Sequence, residues 1–184
     1  MSNARTVPSP PVEVPGTVAA TSWDAGRIWL WQVTGWFYGA LRAAQRGRPV
    51  AAALNSLYAV VGLLSPHLLI PFYAGLIAAP STSYRFDSAR TAVLAVSATR
   101  DSWSIHDHVA KRPGDGAGRR LRRQLLPSLL ADADRRGIPI TLETSVPKLA
   151  DAYCEDIDGL RLVGTGILLR RRYRRDPVPG TESR

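Results

Sequence analysis

The sequence predicts a mixed α/β domain built around a central strand, a glycine loop and a helix, preceded by an apolar helical region. Three observations carry that prediction. Trp103 to Val109 alternates like a strand, Arg119 to Arg135 repeats like a helix, and Gly114, Gly116 and Gly118 stand at alternate positions between them. From Pro49 through Tyr84 there is not one charged residue. Beyond it, Arg85, Arg90 and Arg100 restore the charge spacing of a water-facing fold.

The chain of 184 residues has the length of one ordinary domain, enough for a real core. Its net charge of +9 comes almost wholly from arginine, since Lys111 and Lys148 are the only lysines. A GC-rich genome yields such a bias without selection for binding. A solvated basic surface or an anionic-membrane preference therefore outweighs nucleic-acid recognition. The basic tail also lacks the interleaved aromatics that stack on bases, Tyr173 standing alone. One cysteine, Cys154, excludes an intramolecular disulfide framework and a cysteine-rich zinc site.

Residues 1–21 are rich in Pro, Ser, Val and Thr without apolar periodicity and read as a disordered lead-in, with no apolar core of a secretory signal. Residues 22–84 read as the apolar helical region. Ser22 to Asp24 caps a helix reaching about Gln45 that carries Trp29, Trp31 and Trp36, with Gly35 and Gly39 four apart. Aromatics flanked by Arg27 and Arg42 suit a membrane–water interface, and equally a helix buried against another apolar element. Arg42, Arg46 and Arg48 form a basic turn. The apolar pieces Leu54–Leu64 and Leu68–Ala79 follow, parted by Ser65-Pro66-His67. Each is too short for a bilayer span of about 20 residues. Together they make a kinked span, a membrane-associated hairpin, or a helical layer that buries itself in a homo-oligomer. His67 in this setting reads as hydrogen-bonded or interfacial.

Residues 85–172 read as the α/β domain. Ala92–Ala98 and Trp103–Val109 are strands joined by a turn at Thr99–Ser102. Leu121, Leu125, Leu126, Leu129, Leu130 and Ala133 give the next helix one buried face, and Gly137 ends it. Ile138–Glu143 is a short strand and Lys148–Glu155 a helix carrying Tyr153. Leu160–Val163 and Ile167–Leu169 flank Gly164-Thr165-Gly166 as a hairpin. Residues 173–184 read as a basic disordered tail, continuing the run Arg170–Arg175 that also suits an anionic leaflet.

Strand, glycine loop, helix, strand, tyrosine-bearing helix and final strand resemble the acetyl-CoA-binding half of the GNAT N-acetyltransferases over residues 91–164. That family's loop reads Gln/Arg-x-x-Gly-x-Gly/Ala. Here Gly116-Ala117-Gly118 supplies the glycines, while Pro113 holds the first position and Arg112 lies one residue early. The asparagine that family often places four residues before its tyrosine is Leu149 here.

The resemblance implies acetyl-CoA as cofactor and an amine-bearing small molecule or protein as acceptor. By the same match, the backbone of Val109, Ala110 and Lys111 pairs with the pantetheine arm. Arg112 and the amides of Gly114, Asp115, Gly116, Ala117, Gly118 and Arg119 hold the pyrophosphate, and Tyr153 protonates the leaving thiolate. Acetyl-CoA being cytosolic, it also implies a cytoplasmic protein, at the inner face of the cell membrane if the apolar half meets lipid. The departures at Pro113 and Leu149, and the difficulty of finding the family's early strand and helix, leave open a catalytically inactive binding or scaffold protein.

Acyl transfer to an amine requires a base for the ammonium proton, donors for the oxyanion and an acid for the thiolate. The base candidates are His106, His108 and Glu143. A regular strand puts His106 and His108 on one face and Asp107 on the other. No third ligand stands at a spacing that would make the two histidines a metal site. The oxyanion donor is expected among the backbone N–H groups near Val109.

Overall fold

The computed structural model describes residues 7–11, 13–166 and 170–178. Strand β1 (Thr17–Ala19) and a helical turn at Ser22–Asp24 lead into α1 (Ala25–Gln45), α2 (Pro49–Leu64) and α3 (Pro66–Ala78). The strands β2 (Thr82–Asp87), β3 (Ala92–Ala98) and β4 (Trp103–Ala110) follow. After them come α4 (Ala117–Arg136), β5 (Ile140–Thr144), α5 (Pro147–Asp156), β6 (Arg161–Thr165) and β7 (Arg171–Arg175). The strands form one sheet in the order β1-β2-β3-β4-β5-β7-β6, antiparallel except for β4 against β5. That one parallel pair requires a crossover, and α4 supplies it.

Strand alternation sorts the core onto the two faces of the sheet. Leu94, Val96, Trp103, Ile105 and Ile140 pack under α4 and α5, against Leu121, Leu125 and Leu129. Tyr84, Phe86, Val93 and Ala95 pack on the other face, beneath Ile28 and Trp31 of α1 and Tyr73 of α3.

Three regions differ from the sequence reading. The lead-in is ordered from Val7 among the described residues. Val14 is buried, the Trp103 indole N–H donates to the Pro8 carbonyl at 2.8 Å, and Thr17–Ala19 pairs with β2. A proline-rich segment has no periodicity to betray it, because its position comes from partners far along the chain. Strand β1 thus lies inside the stretch read as a lead-in, whereas α1 follows the helix read from Ser22 to about Gln45.

The basic tail is also placed differently, since Arg171–Arg175 is β7, an inner strand. Three of its four arginines, on both faces, meet carboxylates. Arg175 pairs bidentately with Asp134 of α4 at 2.7 Å, Arg172 with Glu143 at 2.6 Å, and Arg174 with Asp176 at 2.8 Å. The hairpin partner of β6 is this strand, and the expected segment Ile167–Leu169 lies outside the described residues.

The third difference is in β4. Ala95 faces His106 but Val93 faces Val109, so Asp107 and His108 together oppose the single Leu94. This β-bulge, with Asp107 at φ 46°, shifts the alternation by one. His106 and His108 consequently lie on opposite faces.

Arg175 is 5% exposed and ties β7 to α4. Arg175→Ala leaves the Asp134 carboxylate without its bidentate partner and is expected to cost about 2–3 kcal/mol. A urea unfolding midpoint lowered at unchanged m-value checks this.

Candidate functional site

The site forms where β4 parts from β5. Their parallel ladder runs Trp103↔Ile140, Ser104↔Thr141, Ile105↔Leu142 and stops. From His106 onward the β5-facing edge of β4 has no strand against it among the described residues. Its N–H and C=O groups are free to pair with an extended ligand arm.

This open edge runs into the glycine loop. Gly114 and Gly116 take φ of 94° and 83°, left-handed values that favour glycine. At Gly114 a Cβ would also sit 2.9 Å from the Tyr38 hydroxyl, so α1 packs directly on the loop. Among the described residues, no acceptor is found for the N–H groups of Gly116, Gly118 and Arg119 at the start of α4. Free amides at a helix N-terminus, with Arg119 and Arg120 exposed in its first turn and the Arg120 guanidinium at the Asp115 carbonyl, fit a pyrophosphate. One amide is taken: Ala117 N–H donates to the Asp115 carboxylate at 2.8 Å. The residues present thus fit coenzyme A, provided that this carboxylate shares or leaves the cradle.

Gly118 also has a packing role. A Cβ there would lie 2.7 Å from His108 Nε2, so this glycine makes room for β4 beneath α4. Nε2 lies 2.8 Å from the Gly118 carbonyl, and the Tyr153 hydroxyl lies 3.1 Å from Nδ1. A carbonyl only accepts, so Nε2 carries the proton and Nδ1 accepts from the phenol. Both ring nitrogens are committed. Burial, helped by the nearby Arg122 cation, pushes His108 down to about 4. His108 therefore positions Tyr153 and is a poor base.

Tyr153 is 2% exposed, with the Arg122 guanidinium 4.9 Å from its ring centre and Asp156 holding that guanidinium at 2.6 Å. Burial, more than the Asp156 charge, raises its phenol well above the ordinary value. The proton stays on the oxygen across the working pH range.

The opposite face carries a second network. His106 Nδ1 lies 3.1 Å from Asp107 Oδ2, and the Tyr84 hydroxyl donates to the same oxygen at 2.6 Å. Burial alone would raise the Asp107 carboxyl. The hydrogen bonds from His106 and Tyr84, with the charges of His106 and Arg170, hold it below its ordinary value instead. An ionised carboxylate only accepts, so Nδ1 bears the proton. Nε2 is then the basic atom, 2.6 Å from Ser97 Oγ. Burial and the Asp107 charge together raise Tyr84, which remains a donor.

Glu143, the third base candidate, is ion-paired with Arg172 at 2.6 Å. Sequence reasoning missed Tyr84, Ser97 and Asp107 as partners of His106, because the bulge that joins them leaves no periodic trace. The Asp115 cap was legible, since aspartate just before a helix seeks an amide two or three residues on.

The fold is that of the GNAT N-acetyltransferases. An acetyltransferase from Thermus thermophilus matches with a TM-score of 0.53 at 17% identity, over 89% of this chain and 98% of that one. The PaiA N-acetyltransferase of Thermoplasma acidophilum, in complex with coenzyme A, matches at 0.54 and 7% identity, over 87% and 97%. RimL, the ribosomal L7/L12 alpha-N-protein acetyltransferase, also in complex with coenzyme A, matches at 0.50 and 14% identity, over 92% and 98%. No protein-family model matches the sequence, and no curated protein does.

Because the His108 value lies below the 6.5 of a free imidazole, acid takes up a proton on the unfolded chain before the folded one. The stabilisation is complete above about pH 6.5 and drains away as pH falls toward about 4. A thermal melt should fall through that window. His108→Gln, which keeps a donor and an acceptor but cannot titrate, should flatten that part of the pH dependence.

Proposed function

We propose that the protein transfers an acetyl group from acetyl-CoA to an amine. The observation that carries this reading is the open edge of β4 leading into the free amides of α4, with the Tyr153 hydroxyl beside that edge. Bound acetyl-CoA supplies the acyl group as a thioester. The β4 edge orients its arm, and the loop amides and surrounding cations hold its phosphates.

His106 is the base. Its Nε2 takes the proton of the incoming ammonium, and Asp107 Oδ2 holds Nδ1–H and stabilises the imidazolium that results. The N–H groups freed around the bulge at Asp107 meet negative charge on the carbonyl oxygen. Tyr153 Oη gives its proton to sulfur, turning from His108 Nδ1 as it does so. His108 keeps the hydroxyl aimed, and Arg122 packs over the phenol ring.

A second reading, cofactor binding without turnover, is favoured by one observation. The Tyr153 proton is engaged by His108 and one loop amide by Asp115, so both parts of the machinery are occupied from within. Calorimetry and a turnover assay separate the two. The transferase reading expects micromolar acetyl-CoA binding, lost in Gly116→Glu, whose side chain enters the cradle. It expects acetylation of a polyamine or peptide panel to fall by about 10²-fold in Tyr153→Phe with the dissociation constant unchanged. Asp107→Asn, by removing the charge that supports the imidazolium, should lower kcat. Binding with no turnover on any amine would leave the second reading standing. No binding at millimolar cofactor would end both.

A further inference from the structure

Helix α2 contradicts the rule the rest of this chain obeys. On α4 the outward positions are charged, with Arg119, Arg120, Arg123 and Arg136 facing water. On α2 no position is charged, yet among its residues only Ala59 and Gly62 are buried. Both face α1: a Cβ at Gly62 would lie 2.8 Å from the Trp36 ring and 2.9 Å from Val33. The other sides of α2 are open. Val50 and Leu64 are each 70% exposed, Leu57 57% and Val61 51%, and the surface continues onto Leu68 and Phe72 of α3. Contiguous apolar exposure of this kind marks an interaction surface.

What covers it follows from the charges at its edge. The last turn of α1 and the connection to α2 carry Arg42, Arg46 and Arg48, all exposed. Not one acidic residue occurs between Asp24 and Asp87. Among the described residues these arginines form no ion pair. A second copy docking through the same face would bring no carboxylate to meet them. A protein groove would also have to wrap most of the circumference of α2. Acyl chains fill that shape without complementarity, and anionic headgroups supply the counter-charge.

Spanning is excluded for each helix alone. Neither is long and apolar enough, and α2 and α3 meet at 91°. A helix of this length lies about 24 Å along a surface. We propose that α2, with the start of α3, inserts its exposed face at the headgroup–acyl boundary of an anionic lipid bilayer, with Arg42, Arg46 and Arg48 against headgroup phosphates. The proposal does not depend on acyl transfer.

The test is flotation of the full chain with vesicles of phosphatidylcholine alone and of phosphatidylcholine mixed with phosphatidylglycerol. Binding is expected on the mixed vesicles and to weaken with salt. Arg46→Gln with Arg48→Gln should lower it by about 30-fold. Leu57→Glu with Val61→Glu should abolish it, circular dichroism remaining that of the parent. Hydrogen exchange on the unaltered chain should show vesicle-induced protection over residues 49–72, a readout that needs no variant. Protein that stays unbound, or that binds both vesicle types alike, overturns the proposal. So does a dimer in lipid-free solution that the glutamate pair dissolves while vesicles capture nothing.

Discussion

Between Ile105 and Ala110, β4 leaves its parallel neighbour and slips its own alternation by one residue. The site depends on both. Parting from β5 exposes a length of strand edge that can take up an extended ligand. The slip at Asp107 sends His106 to the face under α1 and α3, and His108 to the face under α4 and α5. A regular strand would have put both histidines on one side and Asp107 on the other, separating the carboxylate from His106. A base network and an acid network on opposite sides of one strand is the arrangement a two-proton reaction needs. It costs one residue at positive φ, held by the hydrogen bonds that Asp107 accepts from Tyr84 and His106.

The two histidines show how the environment assigns roles to identical side chains. His108 is enclosed by the Gly118 carbonyl, Tyr153 and the Arg122 cation, and it stays neutral. Its worth lies in fixing the direction of a phenol. His106 keeps an ionised carboxylate on one nitrogen and the Ser97 hydroxyl on the other. Its Nε2 lone pair reaches an amine only by exchanging that exposed-side hydroxyl for it, whereas His108 is held on both sides within the fold. Gly118 ties the two halves of the site together. It is the point at which α4 comes close enough to β4 for a ring nitrogen to reach a helix carbonyl.

The order of elements from β3 to α5 was legible in the sequence because local signals agreed. Alternation at Ala92–Ala98, a leucine face from Leu121 to Leu129 and glycine punctuation at Gly114, Gly116 and Gly137 all report nearest-neighbour physics. What stayed hidden was set by distant partners. Val14 and Thr17 acquire structure only from β2 and α4. The arginines of β7 look like a solvated run until Asp134, Glu143 and Asp176 are seen to meet them. The bulge at Asp107 changes no residue type and breaks no pattern. The face of His106, and its link to Tyr84 and Ser97, could therefore not be read from spacing.

The sheet order also bears on how the chain is born. β7 lies between β5 and β6, although both precede it in the sequence. On a ribosome, β5 emerges with one flank unsatisfied and waits through α5 and β6 for the strand that covers it. During that interval β6 is the nearest wrong partner, and another nascent chain the next nearest. A strand of four arginines around one tyrosine is a poor template for either error, because like charges keep copies of it apart. The same arginines become cheap to enclose only when Asp134 and Glu143 are already in place. Closure of the sheet is thereby reserved for a molecule whose earlier elements have assembled.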